Sequence, residues 1–247
     1  MSIIASLMLL SCAEAGVKEY KLEVVAEYPH DVEAYTQGLF FHDGQMYEST
    51  GLHGKSTLRK VDFTTGEALQ KIGFNEKYFI EGSVVLGDNL YVLTWATRMA
   101  FIYDAETLDF KTSWKYPREG WGITTDGKKL IASDGSATLY FMDENFKVER
   151  KVMVKHEERP VRWLNELEYI DGKIWANVYT SDEIVIINPK DGAVEGVVDC
   201  RGLLPDSLRT PDTDVLNGIA YDPMTKKIYL TGKNWPKLYE IKLVEKK

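Results

Sequence analysis

Two cysteines in 247 residues, Cys12 and Cys200, are too few for a disulfide framework. Long apolar runs are also missing: the stretch Ile3–Leu10 spans eight residues, well short of a bilayer crossing. No block of Lys or Arg occurs, and 30 basic against 38 acidic residues leave a net charge of −8. That diffuse negative charge repels phosphate backbones and argues against a nucleic-acid partner. The four histidines (His30, His42, His53 and His156) fall in no HxH or HxxxH spacing, so no zinc site is indicated. Phosphate loops, GxGxxG turns, GxSxG elbows and cysteine-based motifs are absent too, which removes the commonest nucleotide and hydrolase signatures.

What is present points to strands. Six Trp, 14 Tyr and 9 Phe are spread along the chain with 19 Gly, the texture of many short strands and tight turns. The 44% hydrophobic content excludes whole-chain disorder, and the length suits one large domain with a sizeable core.

Residues 1–19 read as a leader. The run Ile3–Leu10 matches the apolar stretch of a secretion signal. Leu9-Leu10-Ser11-Cys12 resembles a bacterial lipobox, which would lipidate Cys12, whereas Ala13-Glu14-Ala15 resembles an ordinary cleavage site. No Lys or Arg precedes the run, which weakens both readings; a frayed tail on a cytoplasmic protein is the alternative. The expectation is export, to the periplasm or to a lipid anchor at Cys12.

An internal repeat organises residues 20–247. Five segments share one pattern: Tyr35–Phe40, Phe79–Val84, Glu119–Thr124, Trp163–Glu168 and Val215–Ala220. Their third residues lie at 37, 81, 121, 165 and 217, with spacings of 44, 40, 44 and 52. Each is followed by a polar turn such as His42-Asp43-Gly44 or Asp171-Gly172-Lys173, a strong hairpin signal. A second strand follows (Leu90–Trp95, Lys173–Tyr179, Lys227–Gly232), then a third (Leu58–Asp62, Phe101–Asp104, Leu139–Asp143, Ile184–Asn188, Leu238–Ile241). Fourth strands run through Ala68–Phe74, Phe110–Lys115, Lys147–Val154 and Ala193–Val198.

Four antiparallel strands every 40 to 52 residues is the period of a β-propeller blade. The fifth unit ends one strand short, and a spare strand, Tyr20–Glu27, precedes the first unit. The predicted fold is therefore an all-β, five-bladed propeller whose N-terminal strand completes the last blade and closes the ring. The stretch Asp199–Asp214 reads as a loop over one face.

Residues that open the first strand of a blade and close the second meet at one mouth of the ring. The opening positions hold Gln37, Glu81, Trp121, Asn165 and Asn217; the closing ones hold Gly51, Trp95, Asp134, Tyr179 and Lys233. Packing alone would repeat one residue type, whereas these places mix aromatics, amides, a carboxylate and an amine, which marks a ligand pocket. Glu81 stands out. Desolvation by Phe79, Ile80, Trp95 and Trp121 should raise its pKa, and Lys233 would oppose that. Strand alternation points Glu166 away from the channel, and Trp114, Trp163, Trp175 and Trp235 read mainly as packing residues.

These residues carry a resemblance. Tyr35-Thr36-Gln37-Gly38, Phe79-Ile80-Glu81-Gly82, Leu93-Thr94-Trp95 and Gly120-Trp121-Gly122 are similar to motifs of the plant and bacterial glutaminyl cyclase (glutamine cyclotransferase) family. Leu164-Asn165-Glu166-Leu167-Glu168, Ile174–Tyr179 and Thr231–Lys237 continue it, over about residues 30–245. The resemblance implies a five-bladed propeller that converts the N-terminal glutamine of peptides or proteins to pyroglutamate and releases ammonia. It implies Glu81, Lys233 and Asn165 as catalytic residues, and Gln37, Tyr35, Phe79, Trp95, Trp121 and Tyr179 as substrate-binding ones. Tyr179 stands where plant members carry Trp, and Tyr35 where they carry Phe.

No cofactor is called for, and a structural calcium would use scattered oxygens that sequence does not reveal. The expected partners are Gln-initiated peptides, with no nucleic acid, no membrane span, and a monomeric protein. The alternatives are a propeller that binds peptide or carbohydrate without catalysis, and a glycoside-acting propeller, which needs a second carboxylate near Glu81 from Asp134 or Glu166.

Overall fold

The computed structural model describes residues 16–247 and is built almost wholly of strands. Most of the leader, with Cys12 and both processing motifs, lies outside the described residues. β1 covers Lys18–Pro29 and begins two residues before the expected Tyr20. β2 (Thr36–His42), β3 (Gln45–Thr50), β4 (Thr57–Asp62) and β5 (Glu67–Gly73) form one antiparallel sheet. β6 (Ile80–Leu86), β7 (Asn89–Thr94), β8 (Met99–Asp104) and β9 (Phe110–Lys115) form a second. β10 (Ile123–Thr125), β11 (Leu130–Ala132), β12 (Thr138–Met142) and β13 (Val148–Met153) form a third. A small hairpin, β14 (Lys155–His156) with β15 (Arg159–Pro160), separates these from the remainder.

The turns follow their residues. Asp43-Gly44 and Asp171-Gly172 both place two successive residues at positive φ, 48° and 77° in one and 47° and 82° in the other. That is the twist-matched two-residue hairpin for which Asp-Gly is favoured. The β-strands they join alternate little in burial: β2 is buried from Thr36 through Phe41, as a strand covered on both faces must be.

The last two repeat units depart from separate four-stranded sheets. β16 (Leu164–Ile170), β17 (Lys173–Val178), β18 (Glu183–Ile187) and β19 (Val194–Asp199) share one eight-stranded sheet with β20 (Leu216–Asp222), β21 (Lys227–Gly232), β22 (Lys237–Glu245) and β1. β1 pairs antiparallel with β22, from Tyr20 opposite Glu245 to Pro29 opposite Lys237, so the N-terminal strand completes the last unit. Its first residues, Lys18–Lys21, also pair parallel with Gly196–Asp199 of β19. β1 is twelve residues long, more than its own unit needs, and its free end satisfies the neighbouring edge.

The first strands touch in a closed circuit: β2 meets β6, β6 meets β10, β10 meets β16, β16 meets β20, and β20 meets β2. Between the sheets lie apolar layers, for example Tyr91, Leu93, Ile123, Leu130 and Phe146 between the second and third. The Asp199–Asp214 stretch holds one short 3-10 turn, Asp206–Leu208, and is anchored by buried Leu203 and Leu204 against Trp175 and Ile184.

Candidate active site

Four of the five first strands carry a β-bulge at their opening residues. Register shifts fall between Thr36 and Gly38, Ile80 and Ser83, Leu164 and Leu167, and Leu216 and Ile219. A bulge re-aims the side chain it carries, and here it frees Gln37, Glu81 and Asn165 from the ordinary alternation of a strand. All three are buried.

The structure places Tyr35, Gln37, Phe79, Glu81, Trp95, Trp121, Asn165, Tyr179 and Lys233 around one cavity of about 220 Å³. Every site residue expected from the sequence lies there. The aromatic members form a collar. Tyr35 meets Phe79 edge-on at 6.2 Å, Phe79 meets Trp95 at 5.7 Å, and Trp121 meets Tyr179 at 5.6 Å. Two charged groups close the gaps: Glu119 accepts hydrogen bonds from both indoles, Trp95 Nε1 at 2.9 Å and Trp121 Nε1 at 3.4 Å. Lys233 Nζ lies 4.8 Å from the ring centre of Tyr35 and 4.9 Å from that of Tyr179, within cation–π range.

Local backbone makes this possible. Gly51 is one such position, since a Cβ there would lie 2.4 Å from Cε1 of Phe79 and displace that ring. Asp214, at the end of the long loop, accepts from the Tyr35 hydroxyl at 2.6 Å. Its backbone carbonyl accepts from Trp235 Nε1 at 2.8 Å. Burial and the Asp214 carboxylate together push the Tyr35 phenol up, so it stays a neutral donor.

The polar floor is poorly neutralised. Among the described residues, no ion pair or hydrogen bond engages the Glu81 carboxylate. Burial pushes its pKa well above the usual carboxylate range; the Lys233 charge opposes this and Glu119 adds to it. Burial likewise pulls Lys233 down, against the attraction of Glu81 and Asp214. Desolvation thus draws both groups toward neutrality while their mutual attraction draws both toward charge. Gln37 Oε1 faces Asn217 Nδ2 at 3.5 Å, which leaves the Gln37 NH2 as a donor without a partner among the described residues. The side-chain amide oxygen of Asn165 is buried and has no hydrogen-bond partner among the described residues.

Three readings from the sequence change. Glu166 does not point away from the interior: its carboxylate accepts from Leu39 N at 3.4 Å and Ile219 N at 3.0 Å, reaching strands β2 and β20. The bulge between Leu164 and Leu167 breaks the alternation on which the opposite expectation rested. At the equivalent place the other units have Gly38, Gly82, Gly122 and Gly218, so Glu166 is the one side chain in that layer. Asp134 is engaged in its own turn, bonding Ser136 and the Tyr140 hydroxyl, and lies outside the cavity lining. Neither residue supplies the second carboxylate that glycoside chemistry requires.

Trp175 and Trp235 are buried packing residues, but Trp163 and Trp114 are exposed. Trp163 sits beside Trp121, with ring centres 6.2 Å apart. Glu119, Trp163 and Asp214 are the residues that the sequence reading did not single out. For Glu119 and Trp163 a signal existed, since both occupy the repeat position held by Tyr35 and Phe79.

The chain is also similar to known proteins. A family model described as glutamine cyclotransferase matches residues 1–243. The chain is 48% identical over 232 residues to a glutaminyl-peptide cyclotransferase of Arabidopsis thaliana, covering 90% of this chain and 71% of that protein. The crystal structure of Myxococcus xanthus glutaminyl cyclase superposes with a TM-score of 0.87 at 34% identity, over 94% of this chain and all of that one. The WD40 β-propeller domain of Doa1 matches with a TM-score of 0.50 at 10% identity, over 83% of this chain and 62% of that one, a likeness of fold alone.

Proposed function

The chain belongs to the glutamine cyclotransferase family and converts N-terminal glutamine to pyroglutamate, and we propose that Glu81 moves the protons of that reaction. The observation that carries this role is a buried carboxyl at the floor of an aromatic pocket, without a hydrogen-bond or ion-pair partner among the described residues and with its pKa raised by burial.

The α-amine of the substrate attacks the γ-amide carbon of the same residue, so a C–N bond forms within one folded side chain. Holding that conformer supplies much of the rate, and the collar of Phe79, Trp95, Trp121 and Tyr179 is shaped to do so. The amine must lose a proton as it attacks. Glu81 accepts it, and then donates a proton to the γ-nitrogen, which departs as ammonia. A carboxyl whose pKa is pushed up serves both transfers, where an ordinary carboxylate is a poor donor at neutral pH.

Charge develops on the γ-oxygen during attack. Lys233 Nζ and the Gln37 NH2 are the donors facing it, and the Asn165 side-chain amide lines the same pocket beside them. The indoles exclude water, which would otherwise hydrolyse the amide to glutamate. The test is incubation with a Gln-initiated peptide, reading ammonia release and the mass of the cyclised product. Turnover in wild type that persists undiminished in Glu81→Gln would overturn the role of Glu81.

We infer also that the closed circuit of first strands is a five-bladed propeller. The five phased repeat units and the way β1 completes the last of them support this reading. The apolar run Ile3–Leu10 and the Leu9–Cys12 motif support export, with lipidation at Cys12 or cleavage after Ala15. Both processing sites precede Lys18 and leave β1 whole. The mass of the mature N-terminus distinguishes them.

A further inference from the structure

The cavity of about 220 Å³ is smaller than the ~300–1,000 Å³ of pockets that engulf a drug-sized ligand. It takes one folded glutaminyl residue, and the rest of a peptide substrate must leave across the rim. The rim is uneven. The residues two positions ahead of each opening residue are Tyr35, Phe79, Glu119, Trp163 and Val215. Tyr35 and Phe79 line the cavity, and Glu119 ties two indoles together. Trp163 does neither: it is 55% exposed and lies outside the cavity lining.

That indole belongs to none of the apolar layers between the sheets among the described residues. Its Nε1 makes no hydrogen bond among the described residues. Its backbone is held at φ +66°, a conformation that is costly for a bulky side chain. Two backbone bonds hold it there: Trp163 N donates to Gly135 O at 2.9 Å, and Tyr179 N donates to Trp163 O at 2.8 Å. The second bond is the counterpart of Trp95 N to Phe79 O and Gly51 N to Tyr35 O, which confirms the repeat position. The Trp163 ring meets Trp121 with centres 6.2 Å apart and planes inclined by 38°, so the two indoles form an open wedge at the pocket edge. Trp114, equally solvent-facing, lies on the fourth strand of its sheet and adjoins no pocket aromatic.

We propose that Trp163 is a specificity-determining residue: with Trp121 it forms a subsite for the side chain of the residue that follows the N-terminal glutamine. The wedge suits a large apolar or aromatic side chain, which it would cover on the face turned from solvent. The Glu119 carboxylate, hydrogen-bonded to Trp121 Nε1, disfavours an acidic residue at that place. The inference rests on the cyclase reading, because only that reaction fixes which substrate residue occupies the cavity.

The experiment compares kcat/KM for glutamine amide, Gln-Gly-amide, Gln-Phe-amide and Gln-Glu-amide in wild type, Trp163→Asn and Trp163→Phe. Asn adopts the left-handed conformation readily, so this variant keeps the backbone while removing the indole. In wild type, Gln-Phe-amide should exceed Gln-Gly-amide by roughly three- to tenfold, the size of an aromatic contact, with Gln-Glu-amide the poorest. Trp163→Asn should bring the Phe-to-Gly ratio to about one, and Trp163→Phe should restore most of it. A wild-type ratio near one, or a ratio retained in Trp163→Asn, overturns the subsite. Absence of turnover on every Gln substrate would instead overturn the cyclase reading itself.

Discussion

Two buried glutamates on neighbouring sheets, Glu48 and Glu81, meet opposite fates. Glu48 accepts hydrogen bonds from Arg59 Nε at 3.0 Å, His30 Nε2 at 3.0 Å and Thr36 Oγ1 at 2.7 Å. Arg59 is in turn held by Asp31 at 2.7 Å. Burial by itself would raise the Glu48 pKa, but Arg59 and then His30 more than offset it and bring it down to about 2. Glu81 is as deeply buried and has one cation nearby, Lys233, that does not reach bonding distance among the described residues. Its pKa goes up. Burial sets the scale of the perturbation in both places, and the number of partners in contact sets its sign. The first cluster is therefore a fixed structural charge, and the second is a group free to exchange a proton.

Breaking Glu81 should have the largest effect on catalysis. Glu81→Gln is expected to lower kcat by about 10²–10⁴, with the thermal midpoint unchanged or raised, because it removes an unpaired buried acid. Ammonia release and a melting curve check both parts. Lys233→Met should lower kcat by about 10²–10³ as an oxyanion donor is lost. It also removes the charge that opposes the Glu81 shift, so the ascending limb of the pH–rate profile moves to higher pH.

The Glu48 cluster should respond in stability. Arg59→Met leaves a buried carboxylate short of its main partner and should cost about 3–5 kcal/mol, read from chemical denaturation. The pH dependence carries the same contrast. Glu48, with its folded pKa lowered to about 2, contributes stability above pH ~4.5 that is lost as pH falls through ~2. Glu168 is buried against Tyr221 N and Thr124, and burial raises its pKa to about 8. Its contribution is present below ~4.5 and is lost as pH rises through ~8, so Glu168→Gln should gain on wild type progressively across that window, by roughly 2–5 kcal/mol at its upper end.

The smallest effect sharpens the comparison at its edge. Glu119 raises the Glu81 pKa without touching it and is the smallest of the three influences on it, so Glu119→Gln should move the ascending pH–rate limb to lower pH, by less than Lys233→Met moves it upward. A displacement larger than that of Lys233→Met would mean that the two indoles, released from their shared acceptor, had moved.

The repeat brought much of the site within reach of the sequence. Gln37, Glu81 and Asn165 share one phase, as do Trp95, Tyr179 and Lys233, and residues in one phase of a cyclic repeat meet at one end. Trp163 was equally in phase with Tyr35 and Phe79, but a tryptophan amid alternating neighbours is more often buried, and exposure is not written in a residue's type. The orientation of Glu166 depended on a bulge, which adds a residue to one strand without changing its composition. The parallel join of β1 to β19 was hidden for a similar reason, since an unpaired strand end takes whichever edge the packing leaves beside it.

The amino-acid sequence by itself determined the repeat, the turn chemistry and hence the mouth at which nine side chains converge, because periodicity and turn preference are local properties. Tertiary structure alone decided which buried carboxylate is neutralised and which is left poised. Glu48 meets Arg59 and His30 only after β3, β4 and the segment ahead of β2 have packed together. Glu81 is left poised only because, among the described residues, no cation packs within bonding distance of it. A pKa belongs to the surroundings of a group, and folding is what assembles them.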